Sequence, residues 1–322
     1  MAQLRGFAVA ARDLNLPCGK VVTNAAVRCC SSRRGAASAL RCGRSLASVD
    51  PHDRTSRPLA ASASTTLRFA MNSPATRTAV IVGASSGIGE ALAHELNRAG
   101  WRLGLLARRL ERLEALRETL APETVVRVLD VTQPDAAAAF EHVLEELGGA
   151  DLVIISAGTG HNNYALRWEL DVDTVTVNVL GFMAVAQVAM RHFLQRGRGH
   201  LVGISSVAAL RGNHAGAAYA ASKAFQSVYL DGLRDLAGHS GRPIAVTEVQ
   251  PGFVDTAMMK TDRPLPAVVR WLWVASPAKA ARQILRAIQK RKKHAYITRR
   301  YALVALVFKL LPRAGWGNRR TE

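Results

Sequence analysis

One short passage, Gly83-Ala-Ser-Ser-Gly87-Ile-Gly89, constrains the fold of this chain more than any other. Ahead of it, Thr78-Ala-Val-Ile-Val82 is an unbroken apolar run of strand length, as a strand covered on both faces requires. Behind it, Ile88, Ala91, Leu92, Glu95, Leu96 and Ala99 keep mostly helical spacing until Gly100 stops the helix. Strand, glycine-rich turn and helix in that order form the first unit of a dinucleotide-binding sheet. The backbone can come close to a pyrophosphate there, and the helix N-terminus faces its charge. The spacing is Gly-x-x-x-Gly-x-Gly rather than Gly-x-Gly-x-x-Gly. An ordinary glycine-rich turn is the competing reading.

From residue 76 onward, apolar runs alternate with helical stretches, the pattern of a parallel sheet with covered faces. Strands are predicted at 77–82, 102–107, 124–129, 151–156, 199–205, 243–249 and 294–298. Helices are predicted at 87–99, 109–120, 134–147, 171–195, 217–238 and 277–291. The expected fold is a single α/β domain, a Rossmann-type doubly wound parallel sheet of about seven strands.

Tyr219 and Lys223 stand four residues apart in Tyr-Ala-Ala-Ser-Lys, on one face of a predicted helix. A phenol near pKa 10 trades protons poorly at neutral pH, and a neighbouring ammonium favours the phenolate. Such a pair suits general acid–base chemistry. Ser206 ends the apolar segment His-Leu-Val-Gly-Ile-Ser-Ser upstream, where a strand can present a hydroxyl to the same pocket. Tyr-x-x-x-Lys alone is a weak signal; the serine and the glycine cluster sharpen it.

In these features the chain resembles the short-chain dehydrogenase/reductase superfamily across residues 76 to 298. The matching pieces are Gly83–Gly89, Asp130-Val131, Ser156-Ala157-Gly158, Asn178, Ser206, Tyr219/Lys223 and Pro251-Gly252. Two positions depart from the family pattern: Val82 where Thr is frequent, and Ile155-Ser156 where Asn-Asn is frequent. The resemblance implies that Tyr219 exchanges a proton with the substrate oxygen, while Lys223 lowers the Tyr219 pKa and holds the nicotinamide ribose. It implies that Ser206 hydrogen-bonds the carbonyl and that Asn178 positions a water in the proton relay. For Asn178, a buried side chain satisfied by backbone is an equal alternative.

The same resemblance assigns Gly83, Ser85, Ser86, Gly87, Ile88 and Gly89 to the cofactor phosphates. It assigns Asp130, with Val131 beside it, to the adenine, against a plain helix-capping role for Asp130 or Thr132. Ala157 and Gly158 fall in the loop over the cofactor, and Pro251, Gly252, Val254 and Thr256 in the loop after the sixth strand. Arg108 and Arg109 follow the second strand, where an acidic residue would select NAD. A guanidinium there offers a planar fork to a 2′-phosphate. NADP(H) is therefore expected, with Arg108 as the main contact and Arg109 assisting.

The net charge of +19 suggests a nucleic-acid binder until its position is read. Residues 1–70 carry 11 Lys/Arg against 3 Asp/Glu, residues 279–322 carry 13 against 1, and residues 71–278 carry 19 against 20. The body is neutral and both ends are basic, so no nucleic-acid groove is expected. All four cysteines, Cys18, Cys29, Cys30 and Cys42, fall in the first 70 residues without zinc spacing. The nine histidines, His161 and His214 among them, show no metal spacing, so no metal site is predicted.

Residues 1–70 are rich in Ala, Arg and Ser and lack apolar periodicity, so disorder is expected. They read as a transit peptide or as translation upstream of a start at Met71. A cytoplasmic protein, peripheral to a membrane, is the expectation; an organellar one follows if the leader is a transit peptide. Residues 257–275, with Met258, Met259, Leu265, Val268, Trp271 and Trp273, read as an apolar lid or as packing against a partner subunit. A hydrophobic ketone, aldehyde or alcohol suits that lid.

Residues 299–322 read as a basic amphipathic helix and tail. The run Tyr301–Leu311 is too short to span a bilayer but suits a membrane surface or a dimer interface. No apolar span of 18 residues is read in the sequence, so no crossing is expected. A homodimer or homotetramer is expected. The leading function is an NADP(H)-dependent carbonyl reductase or alcohol dehydrogenase. A catalytically silent cofactor-binding protein and an epimerase or dehydratase are the alternatives.

Overall fold

The computed structural model describes residues 77–259, 273–298 and 300–310. The leader with its four cysteines and Met71, the lid residues Leu265, Val268 and Trp271, and the tail from residue 311 lie outside the described residues.

Seven strands form one sheet: β1 (Thr78–Val82), β2 (Arg102–Ala107), β3 (Val125–Val128), β4 (Leu152–Ile155), β5 (Gly199–Ile204), β6 (Ile244–Pro251) and β7 (His294–Ile297). Their order is β3-β2-β1-β4-β5-β6-β7, and every neighbouring pair is parallel. The chain steps outward from β1 to β3 and then returns to place β4 on the other side of β1. The strand order reverses between β1 and β4, the switch point where open α/β sheets bind ligands at the carboxyl ends of the strands.

The helices are α1 (Gly87–Arg98), α2 (Leu110–Arg117), α3 (Ala136–Glu146), α4 (Trp168–Val175), α5 (Phe182–Arg196), α6 (Ala217–His239), α7 (Pro277–Gln289) and α8 (Arg300–Leu310). Strand residues alternate between two covered faces. Val80 and Val82 of β1 join Phe140 of α3, Val185 and Phe193 of α5 and Leu230 of α6 in one core. Ala79 and Ile81 join Leu92 and Leu96 of α1 and Ile284 and Ile288 of α7 in the other. That double burial explains why β1 reads as a continuous apolar run. Helix α7 starts where expected from its chemistry: Ser276 Oγ accepts from the Lys279 N–H (3.3 Å), and Pro277 occupies the first turn.

Three expectations change. The predicted helix 171–195 begins earlier and is interrupted by a π-helical turn, Thr176–Gly181, between α4 and α5. By length and hydropathy the joined run Trp168–Arg196 is apolar enough to cross a bilayer, contrary to the sequence reading. Half of its apolar window is buried inside the domain, with Val185, Ala186, Ala189 and Phe193 in the core, so it is a core helix. At the C-terminus, α8 is not amphipathic in the ordinary sense. Tyr301 and Ala305 are buried, yet Leu303, Leu306, Val307 and Leu310 on the other side are exposed.

Candidate active site

The carboxyl ends of β1, β4, β5 and β6 bring the predicted residues together. The N–H groups of Ser156 and Ala157, just past β4, both donate to the Val82 carbonyl (2.8 and 2.9 Å). Gly83, at φ 90°, lies so close that an added Cβ would overlap the Ala157 backbone. Thr256 closes the turn from the other side, its Cγ2 3.0 Å from where a Cβ on Gly87 would sit. Ser86 makes no side-chain cap to α1, which leaves N–H groups of the first helical turn for another acceptor. A turn whose glycines bring the backbone close, backed by a helix N-terminus, fits a dinucleotide pyrophosphate.

Ser206 follows β5 and opens a 3-10 turn, Val207–Leu210, where its Oγ accepts from the Ala208 N–H (3.1 Å). The same hydroxyl lies 3.5 Å from the Pro251 carbonyl and is near enough to the Tyr219 phenol to pull its pKa down. The structure therefore joins Ser206, Tyr219 and the loop after β6. Lys223, one turn along α6, is buried, and its Nζ donates to the Ile204 carbonyl and to Gln226 Oε1, both at 3.0 Å. Its Nζ stands 5.8 Å from the Tyr219 ring centroid.

Burial lowers the Lys223 pKa to about 7, because a charge inside the domain loses its water. The same cause acts on Tyr219 with the opposite sign: burial pushes the phenol above its ordinary value, and the Ser206 hydroxyl only offsets part of that. Lys223 is not among the groups that shift the Tyr219 phenol. Both nitrogen contacts named above go elsewhere, and burial penalises the charged form of each partner.

Asn178 sits fully buried in the π-helical turn. Its Oδ1 accepts from the Thr159 N–H (2.9 Å), and its Nδ2 donates to the Thr159 carbonyl (2.7 Å) and to Ser222 Oγ (3.0 Å). Its own carbonyl accepts from Gln226 Nε2 (2.8 Å). The backbone-satisfied reading describes this side chain: it braces the loop 156–160 against α6. Gly158 packs between Asn178 Oδ1 and Lys223 Nζ, and Gly160 against the Tyr219 ring. Gln226 and Ser222 escaped the sequence reading, although Gln226 lies one helical turn beyond Lys223.

On the adenine side, Arg109 rather than Arg108 reaches the turn. Its Nη2 donates to Ser85 Oγ (3.0 Å) and Ser86 Oγ (3.2 Å). Arg108 is exposed and contributes charge near Asp130. Burial alone would raise the Asp130 pKa, but hydrogen bonds from the Thr132 N–H (3.0 Å) and Oγ1 (2.8 Å), with help from Gln133 and Arg108, hold it below the ordinary value. Val131 is buried against Gly181 of the π-helical turn. Ile88 is half-buried and packs on the α1–α7 core.

The lid's two ends meet in a neck. Val254, itself buried in the core, bridges Ala275, and the Asp255 N–H donates to the Ala275 carbonyl (2.9 Å). Tyr301 of α8 fastens this neck, a role the sequence did not suggest. Its Oη accepts from the Phe253 N–H (3.2 Å) and donates to the Trp273 carbonyl (3.1 Å). Its ring meets those of Phe253 and Trp273 edge-on and fills the space a Cβ on Gly252 would need. His161 pairs with Asp173 (2.8 Å), while exposed His214 lies 5.7 Å from the Tyr164 ring.

Residues 77–266 match the short chain dehydrogenase family, and the chain belongs to it. It is an oxidoreductase of the CH–OH/C=O type. It is 43% identical to an uncharacterized oxidoreductase of Myxococcus xanthus over 198 residues, 59% of this chain and 77% of that protein. Among solved structures it is similar to a short-chain dehydrogenase from Sphingobium yanoikuyae in complex with NADPH. That likeness has a TM-score of 0.62 at 26% identity, over 76% of this chain and 100% of the other. It is also similar to an alcohol dehydrogenase from the archaeon Thermococcus sibiricus complexed with 5-hydroxy-NADP. There the TM-score is 0.60 at 25% identity, over 69% and 96% of the two chains.

Proposed function

We propose that the chain interconverts a hydrophobic ketone or aldehyde and its alcohol with NADP(H). The observation that carries this reading is buried Lys223, held on the Ile204 carbonyl two residues before Ser206 and 5.8 Å from the Tyr219 ring, at the strand ends that also form the glycine cradle. The cradle of Gly83, Ser85, Ser86, Gly87, Ile88 and Gly89 would hold the phosphates. Arg109, already over Ser85 and Ser86, would meet a 2′-phosphate, and Asp130 with Val131 the adenine. Solved relatives that carry NADPH and 5-hydroxy-NADP support the same cofactor. The bound nicotinamide supplies or accepts the hydride at the substrate carbon.

In reduction, Tyr219 Oη gives its proton to the carbonyl oxygen, and the Ser206 hydroxyl hydrogen-bonds that oxygen and fixes its angle. The buried phenol stays protonated at neutral pH, as a proton donor must. Lys223, brought to about 7 by burial, can take or release a proton near neutrality. Asn178 and Gln226 hold the loop and Lys223 in place. Exposed Phe253 and Met258 beside the lid neck favour an apolar substrate. A homodimer or homotetramer is supported by exposed Val172, Val175 and Leu180 beside α5 and exposed Val228 and Leu236 on α6.

A panel of apolar ketones and aldehydes with NADPH, followed by nicotinamide absorbance, tests the reading. Tyr219→Phe is expected to abolish turnover while NADPH still quenches or shifts the protein's fluorescence. Undiminished turnover in that variant would refute the assignment.

A further inference from the structure

A helix on the surface of a water-soluble domain normally turns polar residues outward. Helix α8 does the reverse. Its inner side is already satisfied: Tyr301 and Ala305 are buried, and Tyr301 is tied to Phe253 and Trp273. Its outer side nonetheless shows Leu303 (67% exposed), Leu306 (52%), Val307 (43%) and Leu310 (74%). These four follow the spacing i, i+3, i+4, i+7 and so form a single stripe.

We propose that this stripe is a docking surface for an anionic lipid bilayer, on which the protein sits as a peripheral membrane enzyme. Charge selects the occupant. Residues 299–322 carry six Lys/Arg and one acid, Glu322. A second copy would set cations against cations, whereas an anionic headgroup layer attracts them. Composition argues the same way. The stripe is wholly aliphatic, while protein interfaces draw their binding energy from Trp, Tyr and Arg, with Leu and Val under-represented. An aliphatic stripe flanked by cations suits the boundary between headgroups and acyl chains.

Docking would also orient the catalytic cleft. Helix α8 packs on the 3-10 turn that follows Ser206, and its Tyr301 fastens the lid neck beside exposed Phe253 and Met258. The mouth of the cleft then faces the bilayer, and the carbonyl substrate is one dissolved in the membrane. This second part rests on the reductase reading above; the docking itself does not.

The test is flotation of the full-length protein with vesicles of phosphatidylcholine alone and of phosphatidylcholine mixed with phosphatidylglycerol, at low and high salt. The wild type is expected to float with the mixed vesicles and to be released by salt. The triple variant Leu303→Ser/Leu306→Ser/Val307→Ser is expected to lose partitioning by roughly tenfold or more. Its melting temperature should fall only by a few degrees, since these side chains are already partly in water. The conservative variant Leu303→Met/Leu306→Met is expected to float like the wild type.

Wild-type protein that stays soluble with both vesicles overturns the proposal, as does a triple variant that floats undiminished. Equal, salt-insensitive flotation on both vesicles overturns its anionic part. If the triple variant instead falls to a smaller assembly in sedimentation velocity while vesicle binding persists, the stripe joins copies of the chain and the proposal fails. Flotation without turnover would leave the docking standing and remove only the reductase reading.

Discussion

Lys223 gives a prediction that separates burial from every other property of the site. Its pKa falls from the ordinary 10.5 to about 7 because the amine is buried. Unfolding returns it to water and to its ordinary value. Between these values the unfolded chain binds a proton that the folded one does not, so stability rises with pH across the window. Below about pH 7 both states are charged and the full cost of burying the ammonium remains; above about pH 10.5 neither is charged and the cost disappears. At 1.36 kcal/mol per pH unit, the wild type should gain about 3 kcal/mol between roughly pH 6.5 and 9.5.

Lys223→Met isolates that gain, because methionine fills a similar volume without a titrating group. The variant gives up the hydrogen bonds to Ile204 and Gln226, a loss that does not vary with pH. His200, held at about 4 by burial, lies below the window, and Tyr219, raised by burial, lies above it. His200 titrates alike in the two proteins, and Tyr219 stays above the window in both. Urea denaturation of cofactor-free wild type and variant at several pH values gives the difference directly. A difference that changes by less than about 1 kcal/mol over that range would refute the claim that Lys223 is stored away from water.

Other outcomes follow from single contacts. Asn178→Ala removes three side-chain hydrogen bonds among buried groups, and should cost about 3 kcal/mol in urea denaturation. Arg109→Ala should raise the KM for NADPH by roughly ten- to a hundredfold, as loss of a charge-assisted contact does, and leave the KM for NADH nearly unchanged. Arg108→Ala should do much less in the same assay. Tyr301→Phe keeps the ring but strands the Phe253 N–H, and should lower stability by about 1–2 kcal/mol and raise the carbonyl KM more than the NADPH KM. Gly252→Ala should be strongly destabilising alone. It should be less than additive with Tyr301→Ala, since the ring that meets the new methyl is gone.

What the sequence made legible was local in character. β1 and α1 announce themselves because burial on both faces leaves no polar residue in Ala79–Val82, and because Gly83 must turn the chain within a few residues. Tyr219, Lys223 and Ser206 were legible as a group because one helix and one strand end carry all three. The choice between Arg108 and Arg109 was not. At a strand-to-helix junction adjacent side chains diverge, and only the position of Ser85 and Ser86 decides which guanidinium reaches the turn.

The protonation of the site was hidden for a different reason. Spacing places an ammonium near a phenol, but the water removed from both is a property of the whole domain. Here that removal moves Tyr219 up and Lys223 down. Gly252 makes the same point sterically. In sequence Pro251-Gly252 reads as part of the cofactor loop after the sixth strand. In the fold the glycine carries no positive φ, and its lack of a side chain is needed because Tyr301 of α8 occupies that space. A helix that looked like an appendage is therefore built into the neck of the lid. Cutting the chain before Arg300 should consequently impair substrate binding as well as any membrane contact, whereas serines on the outer stripe of α8 should impair only the latter.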